Sequence, residues 1–269
     1  MNILCTEIAS GFFHTFSSQV DSFYRPFEVP KTKFGKPQIN ADGSEKTRNI
    51  SASIGSLKFI QEEISATLQQ IILPEYIFGG VRKKNHIQNA EFHAQNRYFF
   101  KIDLKEYFEN ISNNHVFKTL RSLGLSANES RIIARLTTYR CSLPKGAPTS
   151  PVLSNLVFLP TAIRLNNYCQ KNGITFSCFF DDLTFSSKSK IQHHGNNLIK
   201  IIKADGFYPN NKKIHSLTNA CEVTGILVKK KTIHLCKETL ANRHNPNVKA
   251  YCLFVERESD RILRQAYTS

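Results

Sequence analysis

Two adjacent aspartates, Asp181 and Asp182, interrupt the apolar run "SCFFDDLTFSS" of residues 177–187. Strand interiors disfavour Asp, and carboxylates among apolar side chains are costly unless paired or bound to a metal. The flanking residues read as strand, turn and strand, a hairpin with acid at its tip. An Asp-Asp pair at such a tip is by itself often only a turn signal, so its meaning depends on what else the chain brings to it.

A third acid, Asp103, ends the aromatic and β-branched run "RYFFKIDL" of residues 97–104, which reads as a strand. If the two elements are neighbours in one sheet, three carboxylates converge. Like charges a few ångströms apart repel, so the cluster needs a cation. Hard divalent ions prefer carboxylate, carbonyl, water and phosphate oxygens. Two of them can activate an attacking hydroxyl and stabilise a leaving oxygen in phosphoryl transfer.

Composition narrows the partner. Lys and Arg outnumber Asp and Glu by 36 to 21 over 269 residues, a formal charge of +15 with pI ≈ 9.6. That excess favours a polyanion, and nucleic acid over an anionic membrane, because no basic amphipathic helix or lipidation signal stands out. No apolar run is long enough to span a bilayer. The N-terminal stretch lacks a basic leader and a cleavage site, which argues against a signal peptide. Seven cysteines at irregular spacing, without a CxxC pair, suit a reducing cytoplasm rather than a disulfide scaffold or a zinc knuckle. His193-His194 has no metal-ligand partners at a usable spacing.

Along the chain, residues 31–56 fit a basic hairpin or long mobile loop. Leu57, Ile60, Ile64, Leu68 and Ile71 predict a helix over 57–73, stopped by Pro74. "FGGVRKKNHIQNAEFHAQN" reads as a loop entering a short helix. Residues 112–140 predict a helix pair broken near Gly124, and "VLSNLVFLPTAIRLNNYCQKNG" a further helix. After the acidic hairpin come a helix, a second hairpin over "CEVTGILVKKKTIHL", and a polar helical tail. The order predicts an α+β architecture, helices backing a small antiparallel sheet.

On these motifs the chain resembles the reverse transcriptase family. "FFKIDLKEYFENI" is similar to its first palm motif, and "LPKGAPTSPVLSNLVF" to the next, usually written with Gln before the Gly. "FFDDL" resembles the Tyr-x-Asp-Asp box, "GFYPNNKKIH" the Gly…Asn…Lys motif, "VTGILV" the primer-grip hairpin and "TRNIS" the arginine-bearing fingers segment. "NAEFH" (Asn89 to His93) and "VTG" (Val223 to Gly225) match two signatures of retron reverse transcriptases.

The resemblance implies a right-hand polymerase fold. Fingers and the N-terminal region would cover 1–95, the palm 96–235 and a short thumb 236–269. Asp103, Asp181 and Asp182, with the Leu104 carbonyl, would hold two Mg²⁺ ions, Mn²⁺ being a possible substitute. Lys213 would be the motif lysine that donates a proton to the leaving pyrophosphate. Phe108 would be the aromatic gate against a ribose 2′-OH, with Tyr107 packing behind it. Arg48 would grip the triphosphate, Lys31 and Lys33 being weaker candidates, and Gly146 would shape the turn under the nascent pair. Two departures stand out: Lys145 replaces the usual Gln, and Phe179 the usual Tyr. Arg82, Lys83, Lys84, Asn89, His93, Lys229, Lys230 and Lys231 would face RNA.

The resemblance also implies dNTP substrates and a cognate non-coding RNA serving as template and primer. Priming would start from a guanosine 2′-OH and give a branched RNA–DNA product (msDNA), in anti-phage defence with an effector protein and without a membrane. The competing expectations are another bacterial reverse transcriptase, of intron or defence type, which could polymerise without a template, and a non-catalytic RNA scaffold.

Overall fold

The structure is a computed structural model describing residues 11–13, 15, 17–33 and 36–268. The expectation about an N-terminal leader falls on residues 1–10, outside the described residues. A 3₁₀ turn, Ser17–Phe23, leads into strand β1 (Tyr24–Pro30), followed by β2 (Thr32–Lys33), β3 (Lys36–Pro37) and β4 (Thr47–Ser53). Helix α1 (Gly55–Leu68), α2 (His86–Glu91), strand β5 (Tyr98–Asp103), α3 (Asn113–Ser122), α4 (Ala127–Thr137) and α5 (Ser150–Lys171) come next. They are followed by β6 (Thr175–Phe179), β7 (Asp182–Ser187), α6 (Gly195–Lys203), β8 (His215–Thr218), β9 (Ala220–Val223), β10 (Ile226–Lys229), β11 (Thr232–Leu235), α7 (Lys237–Ala241) and α8 (Pro246–Thr268).

Two compact units form, Met1–Ile72 with Glu106–Phe158, and Leu73–Lys105 with Leu159–Ser269. In the first, β1 and β4 make an antiparallel ribbon in which Val29 faces Arg48 and Phe27 faces Ile50. Helix α1 buries Leu57, Ile60, Ile64 and Leu68 at helical spacing. It stops at Leu68, short of the expected 73, because Ile71 is only half-buried and Ile72 is 95% exposed, so another turn would bury little. Buried Gln61 donates from Nε2 to the Tyr24 hydroxyl and to the Leu136 carbonyl, both at 2.7 Å, tying α1 to β1 and α4. The α3–α4 pair starts at capping boxes on Ser112 and Ser126 and is broken at Gly124, whose φ of +91° favours glycine.

The second unit holds a four-stranded antiparallel sheet in the order β6-β7-β5-β8 and a three-stranded sheet in the order β11-β10-β9. The expected second hairpin is thus three strands, because the Thr224-Gly225 turn, with φ of +46° and +85°, closes β9 on β10 before Lys230-Lys231 close β10 on β11. Consecutive Phe99 and Phe100 show why the β5 run is apolar on both faces. Phe99 joins a core with Ile87, Cys221, Val223, Ile226 and Cys252, under α2 and α8. Phe100 points the other way, onto Gly195 at the start of α6, where a Cβ would lie 2.9 Å from its ring. Phe176 and Phe185 stack with centroids 5.0 Å apart across β6 and β7. No helix among the described residues is long and apolar enough to cross a membrane.

Candidate active site

All three acids lie in the second unit, at the end of β5, in the turn after β6 and at the start of β7. β5 pairs antiparallel with β7 so that Asp103 lies directly opposite Asp182. Such cross-strand neighbours have Cβ atoms about 4.5–5.5 Å apart, and like charges there destabilise. Asp182 is the first residue of β7, not part of the turn as expected; Phe180 and Asp181 make the turn between Phe179 and Asp182. The Leu104 amide donates to the Asp181 carbonyl at 2.8 Å, fastening the turn to the end of β5. Leu104 itself is buried.

Burial, then the charges of Asp182 and Asp103, push the Asp181 carboxyl up to about 6, against a smaller lowering effect from Lys213. Burial also raises Asp182, with Lys101 opposing and Asp103 adding to the shift. Lys213 meets this charge directly: its Nζ donates to Asp103 Oδ2 at 2.7 Å. Burial lowers the Lys213 ammonium, but the hydrogen bond and charge of Asp103 outweigh it and the net shift is upward. Asn210 donates its amide to the Asp103 carbonyl at 2.7 Å, which sets the 3₁₀ turn Asn211–Lys213 beside the acids. A cleft lined by Lys101, Ile102, Asp103, Asp182, Lys213 and His215 opens there.

Carboxylates whose burial, and then whose mutual charge, raises their pKa, with an ammonium drawn onto Asp103, are donors suited to a hard divalent ion. Among the described residues no three His, Cys, Asp or Glu side chains close around one point. The cation beside Asp103 is Lys213.

The nucleotide-binding candidates lie in the first unit, apart from Phe179, whose half-buried ring meets Phe180 edge-on at 5.6 Å. Arg48 is exposed on β4. Ser51 on the same strand donates its amide to the Lys145 carbonyl at 2.7 Å. Gly146 has φ of +105°, and a Cβ there would lie 2.6 Å from Ile50 Cγ2, so both conformation and space require glycine. Lys145 Nζ meets Glu109 Oε1 at 2.5 Å, one residue beyond Phe108. Arg48, Phe108, Lys145 and Gly146 are thereby linked through one strand, one turn and one ion pair. Phe108 is half-exposed, whereas Tyr107 is buried, donates to the Ser154 carbonyl at 3.0 Å and packs on Phe158. The packing role expected of Tyr107 is what its contacts provide. Lys31 is half-exposed, and the side chain of Lys33 lies outside the described residues.

The candidates for RNA contact divide. Arg82, Lys83, Lys229, Lys230 and Lys231 are exposed. Asn89 and His93 are fully buried, which corrects their assignment to RNA. Asn89 Nδ2 donates to Thr224 Oγ1 at 3.3 Å, and Thr224 donates to the His86 carbonyl, so "NAEFH" and "VTG" bond to each other. His93 bridges the acidic hairpin from behind, Nδ1 to Ser186 Oγ at 2.6 Å and Nε2 to Ser177 Oγ at 2.7 Å. Lys84 is corrected too. Its ammonium donates to the carbonyls of Pro74, Glu75 and Ile77 at 3.1, 2.7 and 2.9 Å, which uses all three donors.

Sequence reasoning missed Gly79 and Lys101. The Gly79-Gly80 pair signalled only a loop. Lys101 was one of many cations, and only the strand register puts it beside Asp182, its Nζ donating to the Glu222 carbonyl at 2.9 Å.

Residues 29–234 match the reverse transcriptase (RNA-dependent DNA polymerase) family, and the chain belongs to it. The family uses divalent metal ions. Among curated proteins the chain is similar to retron reverse transcriptases. It is 28% identical to the retron Ec86 reverse transcriptase of Escherichia coli over 206 residues, 74% of this chain and 64% of that one. It is 26% identical to the retron Ec83 reverse transcriptase of the same organism over 184 residues, 64% of this chain and 55% of that one. It thus spans less than two thirds of the length of these relatives. The fold is also that of a solved telomerase from Candida albicans (TM-score 0.52, 10% identity, 85% of this chain and 49% of that one). The right-hand polymerase fold is therefore the fold of this chain.

Burial, with a smaller effect from Lys101, holds His93 down to about 3, so it stays neutral in the folded state. In the unfolded chain it takes up a proton below about 6.5. Acid therefore favours the unfolded state, and stability is lost as the pH falls through that value. Between pH 7 and pH 5 the loss is about 2 kcal/mol. Urea melts should show His93→Asn lacking this loss, so that the gap between wild type and variant narrows by about that amount on acidification.

Proposed function

We propose that the protein is an RNA-directed DNA polymerase of a retron. It copies a cognate structured non-coding RNA into DNA from dNTPs, starting from a guanosine 2′-OH of that RNA and leaving a branched RNA–DNA product. In this reading it acts in the cytoplasm, in anti-phage defence, with an effector protein. The observation that carries the catalytic part is the register opposing Asp103 to Asp182, with Asp181 bonded through its carbonyl to Leu104. Fingers to residue 95, palm to 235 and thumb from 236 complete the reading.

Asp103, Asp181, Asp182 and the Leu104 carbonyl would hold two Mg²⁺ ions, or Mn²⁺ in their place. Such ions, when bound, make the primer hydroxyl a better nucleophile and neutralise charge on the leaving phosphates. The chain's own residues do the rest. Lys213 is held at the acids by Asp103 and is in place to give a proton to the leaving pyrophosphate. Arg48 offers a planar, permanent cation to the triphosphate. The Phe108 ring leaves a 2′-OH without room or a hydrogen-bond partner. Lys145, drawn to Glu109, places a cation in the turn with Gly146, where the family has Gln. Phe179 keeps the stacking surface of the usual Tyr.

RNA contact falls to the exposed cations Arg82, Lys83, Lys229, Lys230 and Lys231. Lys230 and Lys231 support it through strain. Both sit at positive φ, +53° and +63°, in a two-residue turn that Asn-Gly would fill at lower cost. Non-glycine residues held there cost about 1–3 kcal/mol each. Two adjacent charges kept at that cost fit a grip on duplex phosphates.

Primer extension with Mg²⁺, dNTPs and a defined RNA should give DNA complementary to that RNA. Product whose sequence ignores the template would point to the untemplated relative instead. Asp181→Asn with Asp182→Asn should lower extension about 10³-fold or more while RNA binding persists.

Phe108→Ala should raise ribonucleotide incorporation roughly 10- to 100-fold. An unchanged sugar preference would remove the gate from Phe108.

Lys230→Asn with Lys231→Gly should leave the melting temperature equal or higher. The slope of log affinity for RNA duplex against log salt should fall by about 2. An unchanged slope would take the phosphates away from this turn.

A further inference from the structure

The turn that carries Asp181 contains a residue in an unfavourable conformation. Phe180 has φ of +55°, a region that an aromatic side chain rarely occupies and that costs about 1–3 kcal/mol. It persists because its surroundings over-determine it. The Cys178 thiol donates to the Phe180 carbonyl at 3.3 Å, and the Leu104 amide holds the Asp181 carbonyl at 2.8 Å. On the third side stands Gly79. A Cβ there would lie 2.7 Å from the Phe180 nitrogen, 2.9 Å from its Cδ2 and 3.0 Å from the Phe179 carbonyl carbon. Gly79 is not one of the glycines with positive φ, so it is the space that demands glycine.

Gly79 ends a short strap that runs along the outer edge of β6. Cys178 donates its amide to the Tyr76 carbonyl and accepts from the Phe78 amide, both at 2.8 Å, a parallel bridge centred on Ile77. The strap is pinned from behind by Lys84, whose three ammonium donors take the carbonyls of Pro74, Glu75 and Ile77. The same ammonium lies 5.0 Å from the centre of the Phe78 ring. Neither Gly79 nor Lys84 is needed for charge at the acids. Each is needed for the backbone beside them.

We propose that Gly79 and Lys84 are positioning residues that press the Tyr76–Gly79 strap against the Phe180 turn and so fix the direction in which Asp181 and Asp182 present their carboxylates. The inference rests on the reading of these acids as divalent-ion ligands. Gly79→Ala is the sharpest probe, because it adds one methyl group whose nearest neighbours are the Phe179–Phe180 backbone and the Phe180 ring. A shift of about 1 Å at a catalytic group costs on the order of 10²-fold in rate, and loss of an outer support costs about 10- to 100-fold in metal affinity.

The test uses the full chain and Mn²⁺ alone, following the free ion by electron paramagnetic resonance, beside kcat and KM for dNTP in primer extension. Gly79→Ala and Lys84→Met should each weaken Mn²⁺ binding about 10-fold or more and lower kcat. The dNTP KM should stay within about 3-fold. Adding Phe180→Gly to Gly79→Ala should return part of the Mn²⁺ affinity, since glycine accepts positive φ and carries no ring to collide. Mn²⁺ affinity equal to wild type in both single variants would overturn the inference. So would loss of the folded state in Gly79→Ala with no recovery from Phe180→Gly. A wild-type chain that binds Mn²⁺ through Asp181 and Asp182 yet extends no primer would sink the polymerase reading and leave the strap standing on the titration. Mn²⁺ binding unchanged by Asp181→Asn with Asp182→Asn would instead overturn the strap.

Discussion

Asp103 and Asp182 face each other across two hydrogen-bonded strands, and most of the second unit is arranged to tolerate that opposition. Repulsion at this separation would splay a free pair of strands. Here β5 and β7 are the inner strands of a four-stranded sheet, flanked by β8 and β6, so the backbone cannot open without losing ladders on both sides. The charge is handled locally instead. Asp182 and its neighbour Asp181 are both pushed toward their neutral forms, and Asp103 is met by an ammonium. A divalent ion does the same job with more charge in less volume. The site is therefore a cleft in which carboxylates and the ammonium groups of Lys101 and Lys213 stand side by side.

Several polar residues that look functional instead tie the elements of the second unit together. His93 holds Ser177 on β6 and Ser186 on β7 together from within the core. Asn96 adds donors to Thr175 and to the same Ser186. Asn89 and Thr224 join α2 to the β9–β10 turn, so the short helix wedges between the two sheets. Buried polar groups of this kind are costly when unpaired and specify one arrangement when paired. A one-residue slip of β7 would remove Ser186 from His93 and turn Asp182 off its face in the same movement.

Strain gathers where the chain needs odd geometry. Phe180 beside the acids and the Lys230-Lys231 turn both keep side chains where glycine would be easier. In each case neighbouring hydrogen-bonded strands carry the cost.

Much of this was legible in one dimension. The β5 run, the acidic hairpin, the helix pair broken at Gly124 and the long helix before the hairpin are local signals. Each rests on hydrophobic period or on Gly and Pro punctuation, and each formed near its expected place. The three acids and Lys213 were legible because their chemistry is rare in such runs and their motifs fall in a known order. β8 was not: "HSLT" is short, polar and exposed on every residue, and becomes a strand only because β5 offers it an edge. Nor could a sequence tell that Lys84 spends its ammonium on three carbonyls while Arg82 and Lys83 remain exposed. Composition fixes which charges a chain owns; burial and partners are set by segments far apart in the chain, 135 residues for Asn89 and Thr224, meeting in space. So the sequence by itself determined the acids, the basic excess and the order of elements. The tertiary structure alone decided which carboxylates oppose each other and which cations are free to act, because strand register and desolvation are properties of pairs of segments and not of either one.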